Sequence, residues 1–386
     1  MPGKRMENQQ PRYHAIDHLR ATMISIVVLG HAILPYITTP RAFKDPQTHI
    51  FFDTAAVFLY GFAMPVFFVT AGFSTALVHQ RKGLRDLARS RFLRIFLPLI
   101  AAYLVLSPLT RAAYKFAKHT ALSGSIQAGA DVVLLGDWIR WGKPYHLWFL
   151  VSLLLFSALA IIVRWGVLRL PGGSAERILS ASKRLFSSRW RSPLLALIVA
   201  LGMVPGYVLY GSDATTAPMQ LTLFGFFLLG WLLYLHRDLL PGFQHQPWRQ
   251  IVVAIATLPL AVWSTRATLI SPDDVQLWIR AIAGFTNSIL AAFMTFGLLG
   301  IFQAQFDQPS ALGRYISDAS YWLYLVHYPL LIAVAGALTV TPLPAAIKYL
   351  LTLAVVLPII LLSYHFVVRS TRLGLLLKGR KQGAAI

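Results

Sequence analysis

Apolar residues fall along this chain in blocks of roughly 17–25, separated by short stretches where Lys, Arg, Gly and Pro collect. Ten blocks can be traced, at about 19–36, 55–78, 92–109, 146–165, 193–211, 219–236, 250–267, 279–303, 320–340 and 345–367. Each is long enough to cross a hydrocarbon core of roughly 30 Å as a helix. Backbone polar groups in lipid must be bonded within their own segment, which predicts helices. A β-barrel would alternate every second residue over short segments, and that period is absent. The pattern predicts an all-α integral membrane bundle of about ten transmembrane helices.

Composition agrees: 56% of the residues are hydrophobic and 13% charged, with a mean hydropathy of +0.61. The net charge of +21 adds orientation. With ten crossings, both termini share a side with the connections near 79–91, 166–192, 237–249 and 304–319, and these hold most of the 35 Lys and Arg. The positive-inside rule then puts both termini in the cytoplasm, with anionic lipid headgroups as partners. Nucleic acid is excluded as a partner, because no soluble domain carries a compact basic face. The expected location is a membrane that borders the cytoplasm. Residues 1–18 read as a polar cytoplasmic segment, 19–367 as the transmembrane domain and 368–386 as a basic cytoplasmic tail. The block at 19–36 is too long for a cleavable signal core and reads as a signal anchor. The chain has no cysteine, which removes disulfides and thiolate metal sites; no metal site is expected.

Two connections stand out. Residues 166–191 are basic and read as a surface linker, part of it helix on anionic lipid. Residues 110–145 run long without a full span and end in an amphipathic stretch at 131–142. That segment reads either as an ordered lid or binding loop, or as an interfacial helix anchored by Trp138 and Trp141.

Candidate chemistry is sparse and therefore informative. His31 lies in the first block and His327 in the ninth. An ionisable group at membrane depth is costly and faces a protein interior or a wet cavity, so the pair points to proton handling. Asp17 and Arg20 stand at the mouth of the first block. Asp17 shares a helix face with His31 but lies about 21 Å away along the axis, which forbids direct contact in one straight helix. Arg91 and Arg94, three apart at the start of the third block, can jointly hold a phosphate or carboxylate or snorkel to lipid phosphate. Pro65 and Gly72 interrupt the second block, either to line a cavity with freed carbonyls or for close helix packing. His146 and Trp148, in the run YHLWFL, suit stacking and hydrogen bonding to a sugar as well as an interfacial belt. Tyr324 shares a face with His327, and Asn287 suits an interhelical amide bond. His49 and Asp53 match an HxxxD acyltransferase pattern, but that match is loose enough to arise by chance; Asp53 could still approach His31.

In order along the chain, DHLRA…GHA, MPVFFVTAGF, RFLRIFLP and SYWLYLVHYP resemble the acyltransferase-3 superfamily of integral membrane O-acyltransferases. YHLWFL and the basic end LGLLLKGRK are most similar to its glucan-biosynthesis (glucan succinyltransferase) branch. The resemblance implies transfer of an acyl group, succinyl or acetyl, from acyl-coenzyme A to a hydroxyl of a periplasmic or cell-surface glycan. No tightly bound cofactor is implied; acyl-coenzyme A is a co-substrate. It assigns His31 as general base, with Asp17 and His327 in the catalytic machinery, and Arg20, Arg91 and Arg94 to the donor. Acceptor contacts are expected from His146, Trp148, Trp138, Trp141, Asn287 and Tyr324. The branch carries a second histidine where this chain has Tyr328.

A histidine titrating near neutrality suits activation of a hydroxyl. Direct transfer in a ternary complex and a two-step route through acyl-histidine both fit. The competing class is a proton-coupled transporter or flippase of a glycan or lipid precursor, which would show best as inverted repeats; none is evident. A non-catalytic scaffold would leave the buried histidines idle. A homo-oligomer is compatible with all of these readings.

Overall fold

The computed structural model describes residues 13–371 and Gly374. The polar segment before residue 13 and most of the expected basic tail, including the LGLLLKGRK end apart from Gly374, lie outside the described residues. Twelve α-helices follow one another: α1 (His14–Ile33), α2 (Ile50–Arg91), α3 (Leu97–Ser123), α4 (Ile126–Leu134), α5 (Trp148–Arg169), α6 (Ser174–Ser187), α7 (Arg191–Tyr210), α8 (Ala217–Leu235), α9 (Pro247–Ile270), α10 (Leu277–Gln305), α11 (Ala311–Leu338) and α12 (Ala345–Ser363). Among the described residues, nine helical stretches are long and apolar enough to span a membrane. One of them, Ile50–Ser123, contributes two crossings. It turns back at Gly83, whose φ of 80° is open to glycine. Arg91, beyond the turn, donates to Thr75 Oγ1 before it. Tyr60 on α2 and Tyr328, the bonding partner of Tyr114 on α3, both flank His31. The protein is thus a multi-pass integral membrane protein with the expected all-helical architecture.

α10 is the most enclosed span and packs against α7, α9, α2 and α1. α2 and α8 cross at backbone contact: a Cβ on Gly72 would lie 1.9 Å from the Phe227 carbonyl oxygen, and one on Gly230 would lie 1.9 Å from that of Val69. Of the two roles open to Gly72, close helix packing is the one it fills. The two ends of the bundle differ. His14, Arg20, Arg91 and Arg94 mark what we term the basic face; the turns at 34–49, 211–216 and 271–276 mark the opposite face.

Two connections carry helices of their own. The segment 110–145 is no free loop. α3 continues through Ser123 because small residues, Ala113 and Ala117, keep it packed on α11 next to Ile332 and Ala335, and Gly124 closes it at φ 66°. α4 follows, capped by Ser125 accepting from the Ala128 amide. The amphipathic stretch 131–142 is helical only to Leu134; Gly136, at φ 75°, turns the chain. The basic linker does carry a helix, α6, docked through Ser182 Oγ and His236 Nε2, 2.9 Å apart.

Candidate active site

Three imidazoles meet inside the bundle. The rings of His31 and His327 are 5.1 Å apart between centroids, and those of His146 and His327 are likewise 5.1 Å apart. α1 delivers His31 in its last turn, just before Leu34, Pro35 and Tyr36 tighten the chain into a 3-10 turn. α11 delivers His327. His146 comes from the turn before α5, where Tyr145 holds φ 47°. A bulky residue in that region is strained, and such strain persists where surroundings enforce it, often at functional sites. Tyr145 is stacked on Tyr114.

Proline chemistry explains one key contact. Pro329 has no N–H, so the Leu325 carbonyl four residues earlier lacks its helical partner. His146 Nε2 donates to that oxygen at 2.9 Å. Tyr324 Oη donates to the His146 carbonyl at 2.6 Å, locking the same junction from the other side. Pro65 likewise releases the Gly61 carbonyl, and both residues line the cavity described below.

The bonding pattern sets the proton positions. His327 Nδ1 faces two carbonyl oxygens, Tyr324 at 2.8 Å and Leu323 at 3.0 Å, so it carries the proton and donates. In the neutral ring, Nε2 of His327 is then an acceptor. His31 Nδ1 donates to Val27 O at 2.8 Å and shares that proton with His327 Nε2 at 3.3 Å. His31 Nε2 keeps a free lone pair and makes no hydrogen bond among the described residues. Such a ring is set up to take a proton from a bound molecule, with the other nitrogen held by a second-ring acceptor.

His31 lines a cavity of about 630 Å³ together with His146, Tyr60, Tyr324, Tyr328 and Trp148. It opens towards the opposite face, where Thr39, Ser212, Asp213 and Pro272 border it. Asn287 is on the wall, its Nδ2 donating to Thr265 Oγ1 across helices at 3.1 Å and to Ala283 O at 2.9 Å, the interhelical role its type predicts. His327 is fully buried and stands behind His31, outside the lining.

Other candidates lie elsewhere. Arg20 pairs with Asp17 at 3.3 Å at the basic end of α1. Arg91 has Arg20 and Arg94 as charged neighbours, and its Nε is buried without a partner. It immediately precedes a five-residue π-helical turn, Phe92–Phe96, a distortion frequent at functional sites. None of these arginines lines the cavity. Towards the basic face the cavity ends on Val27, Pro65, Phe149 and Phe226, with Phe67 and Phe68 packed against Phe149. Trp138 and Trp141 are also away from it: their indole N–H groups donate to Val133 O and Leu104 O. In the same loop, the Lys115 hydrogen bond and Arg140 hold the Asp137 carboxyl below its usual range. The HxxxD pair is structural. His49 Nδ1 accepts from the Phe51 amide to cap α2, and Asp53 accepts from the amides of Thr38 and Thr39 and pairs with Arg266 at 3.5 Å, so it does not bond His31.

The acyltransferase-domain family model, Acyl_transf_3, matches residues 13–365, which takes in every residue of this arrangement. The chain belongs to the acyltransferase-3 family. It is a membrane acyltransferase. Among curated proteins it is similar to "Glucans biosynthesis protein C" of Salmonella paratyphi B, Salmonella dublin and Salmonella enteritidis, each 22% identical over 375 residues, covering 96% of this chain and 95% of the relative. No solved structure matches.

For this acyltransferase, residue patterns missed Tyr60, Arg41 and Arg266 as cavity residues. A signal existed for Arg41, a cation on the side that is otherwise poor in them. Tyr60, a lone hydroxyl within an apolar block, offered a weaker one.

Proposed function

We propose that the acyltransferase moves an acyl group from acyl-coenzyme A onto a hydroxyl of a glycan, with His31 as general base. The observation that carries this reading is the His31 ring at the cavity wall, with Nδ1 committed to Val27 and His327 and Nε2 free. In this scheme the acceptor hydroxyl gives its proton to Nε2 and its oxygen attacks the thioester carbonyl. The tetrahedral intermediate collapses with cleavage of the C–S bond, and the imidazolium returns the proton to the departing thiolate. His327 positions His31 by accepting from Nδ1, and that bond strengthens as the ring becomes charged. The basic face is the cytoplasmic one by the positive-inside rule, which places Arg91, Arg94 and Arg20 where coenzyme A is made. Thr75, bonded to Arg91, is ten residues beyond Pro65, about 15 Å along α2. An extended pantetheine arm covers a distance of that order, once the Phe149 layer moves aside. A glycan enters through the mouth on the opposite face. The glucan in the relatives' name supports a glycan acceptor here.

Mass spectrometry of surface and periplasmic glycans, from cells with and without the active chain, tests this reading. An ester of fixed mass should appear only with the active chain; identical glycan spectra, with substrate merely relocated across the membrane, would overturn it. Changing Arg91 and Arg94 together to Gln should weaken coenzyme A binding by about tenfold or more, the scale of one lost charge-assisted hydrogen bond. Calorimetric titration of the purified protein measures it, and unchanged affinity would remove the pair from the donor site.

A further inference from the structure

The loop at 37–49 is fastened at both ends, and its one free cation points to a second binding element in the cavity. On one side, Asp53 accepts from the Thr38 and Thr39 amides, and Thr38 Oγ1 accepts from Arg266. On the other, Phe43 is buried against α3 and α11, and Asp45 is bonded to Lys348. Lys44 Nζ donates back to Thr38 O at 2.7 Å. Arg41 sits between these anchors and takes part in none of them. It makes no hydrogen bond or ion pair with the described residues, yet it lines the same cavity as His31, Tyr60 and Tyr328. Its charge acts on all three of them.

Tyr60 supplies the second half. Its ring is edge-on to His31 at 5.8 Å, it lines the cavity, and its Oη is buried with no partner. A buried hydroxyl left unpaired costs about 1–3 kcal/mol, which a ligand acceptor atom would recover. The other charges nearby are already committed. Arg266 is paired with Asp53, and Asp213 at the mouth accepts from the Thr215 amide and hydroxyl, both at 2.8 Å. A guanidinium without a protein partner and a free hydroxyl donor lining one cavity form a receptor for an anionic oxygen pair.

We propose that Arg41 and Tyr60 bind a negatively charged group, a carboxylate or phosphate, of the molecule that occupies the cavity beside His31. Resting on the transferase reading, that group belongs either to the far end of a dicarboxylic acyl chain or to an acidic substituent on the acceptor sugar. The binding itself requires no transfer, so the two ideas can fail separately.

Calorimetric titration of the detergent-solubilised full chain decides it. Monomethyl succinate is compared with dimethyl succinate, and glucose 6-phosphate with glucose. At least one anion should bind about tenfold or more tightly than its neutral counterpart, the scale of a charge-assisted hydrogen bond. Preference for monomethyl succinate assigns the group to the acyl chain, and preference for glucose 6-phosphate assigns it to the acceptor. Arg41→Gln should erase the preference, and Tyr60→Phe should reduce it. Arg41 is exposed and unpaired, so the first exchange takes no contact from the fold. His31→Ala should keep the preference even though transfer is lost. Equal binding of charged and neutral members in the wild type, or a preference that survives Arg41→Gln, overturns the proposal.

Discussion

Exchanging His31 for alanine should remove transfer, with a loss on the order of 10²–10⁴-fold, the usual contribution of a positioned acid–base group. The loss should fall on turnover rather than on donor binding, because Arg20, Arg91 and Arg94, proposed above to hold the donor, lie at the basic face and outside the cavity. Fold should survive. His31 is only partly buried, and its removal frees just one buried acceptor, His327 Nε2, which then faces the space the ring vacates beside the cavity. His327→Asn is the informative companion. His327 touches no cavity space, so it acts through His31 as a positioning residue. Losing its Nε2 acceptor should lower kcat and leave the donor KM unchanged, the signature of an interaction that strengthens in the transition state. Steady-state assays in nanodiscs, with esterified glycan as the product, measure both. Full activity in His31→Ala would take this imidazole out of the chemistry, and a KM effect alone in His327→Asn would make His327 a packing residue.

How far the sequence carries depends on what each feature rests on. The bundle was legible because lipid leaves helices little alternative, and the blocks at 219–236 and 279–303 became α8 and α10 with only small shifts of their ends. His31 and His327 were legible because charge at membrane depth demands a reason. Their contact was not: it joins residues 296 apart and depends on how α1 meets α11. His146 illustrates the same limit. Its type suggested a sugar contact, while its fixed orientation comes from Pro329 and the Leu325 carbonyl on another helix. Trp138 and Trp141 read as interfacial anchors, and as acceptor contacts only through the resemblance; their indole N–H groups instead satisfy the Val133 and Leu104 carbonyls. Lys348 was an overlooked signal. It lies inside the last apolar block, where a cation demands a partner, although nothing in the order of residues singles out Asp45.

That ion pair carries the second large expectation. Lys348 and Asp45 side chains are fully buried, with Nζ 2.9 Å from both carboxylate oxygens. A buried pair adds little net stability over apolar packing, but removing one partner strands the other charge at about 3–5 kcal/mol. Lys348→Met should therefore destabilise the protein by about that amount, read as a lower unfolding midpoint in detergent. Adding Asp45→Asn should restore most of it, because no charge is then left without a partner. The same change should loosen the 37–49 loop, which Asp45 also pins through its amide to Pro35 O at 2.8 Å. Arg41, carried on that loop, would lose its fixed place at the cavity, so anion preference should fall in the single variant. A single variant as stable as wild type, or a double variant less stable than the single, would show that the pair does not hold the loop electrostatically.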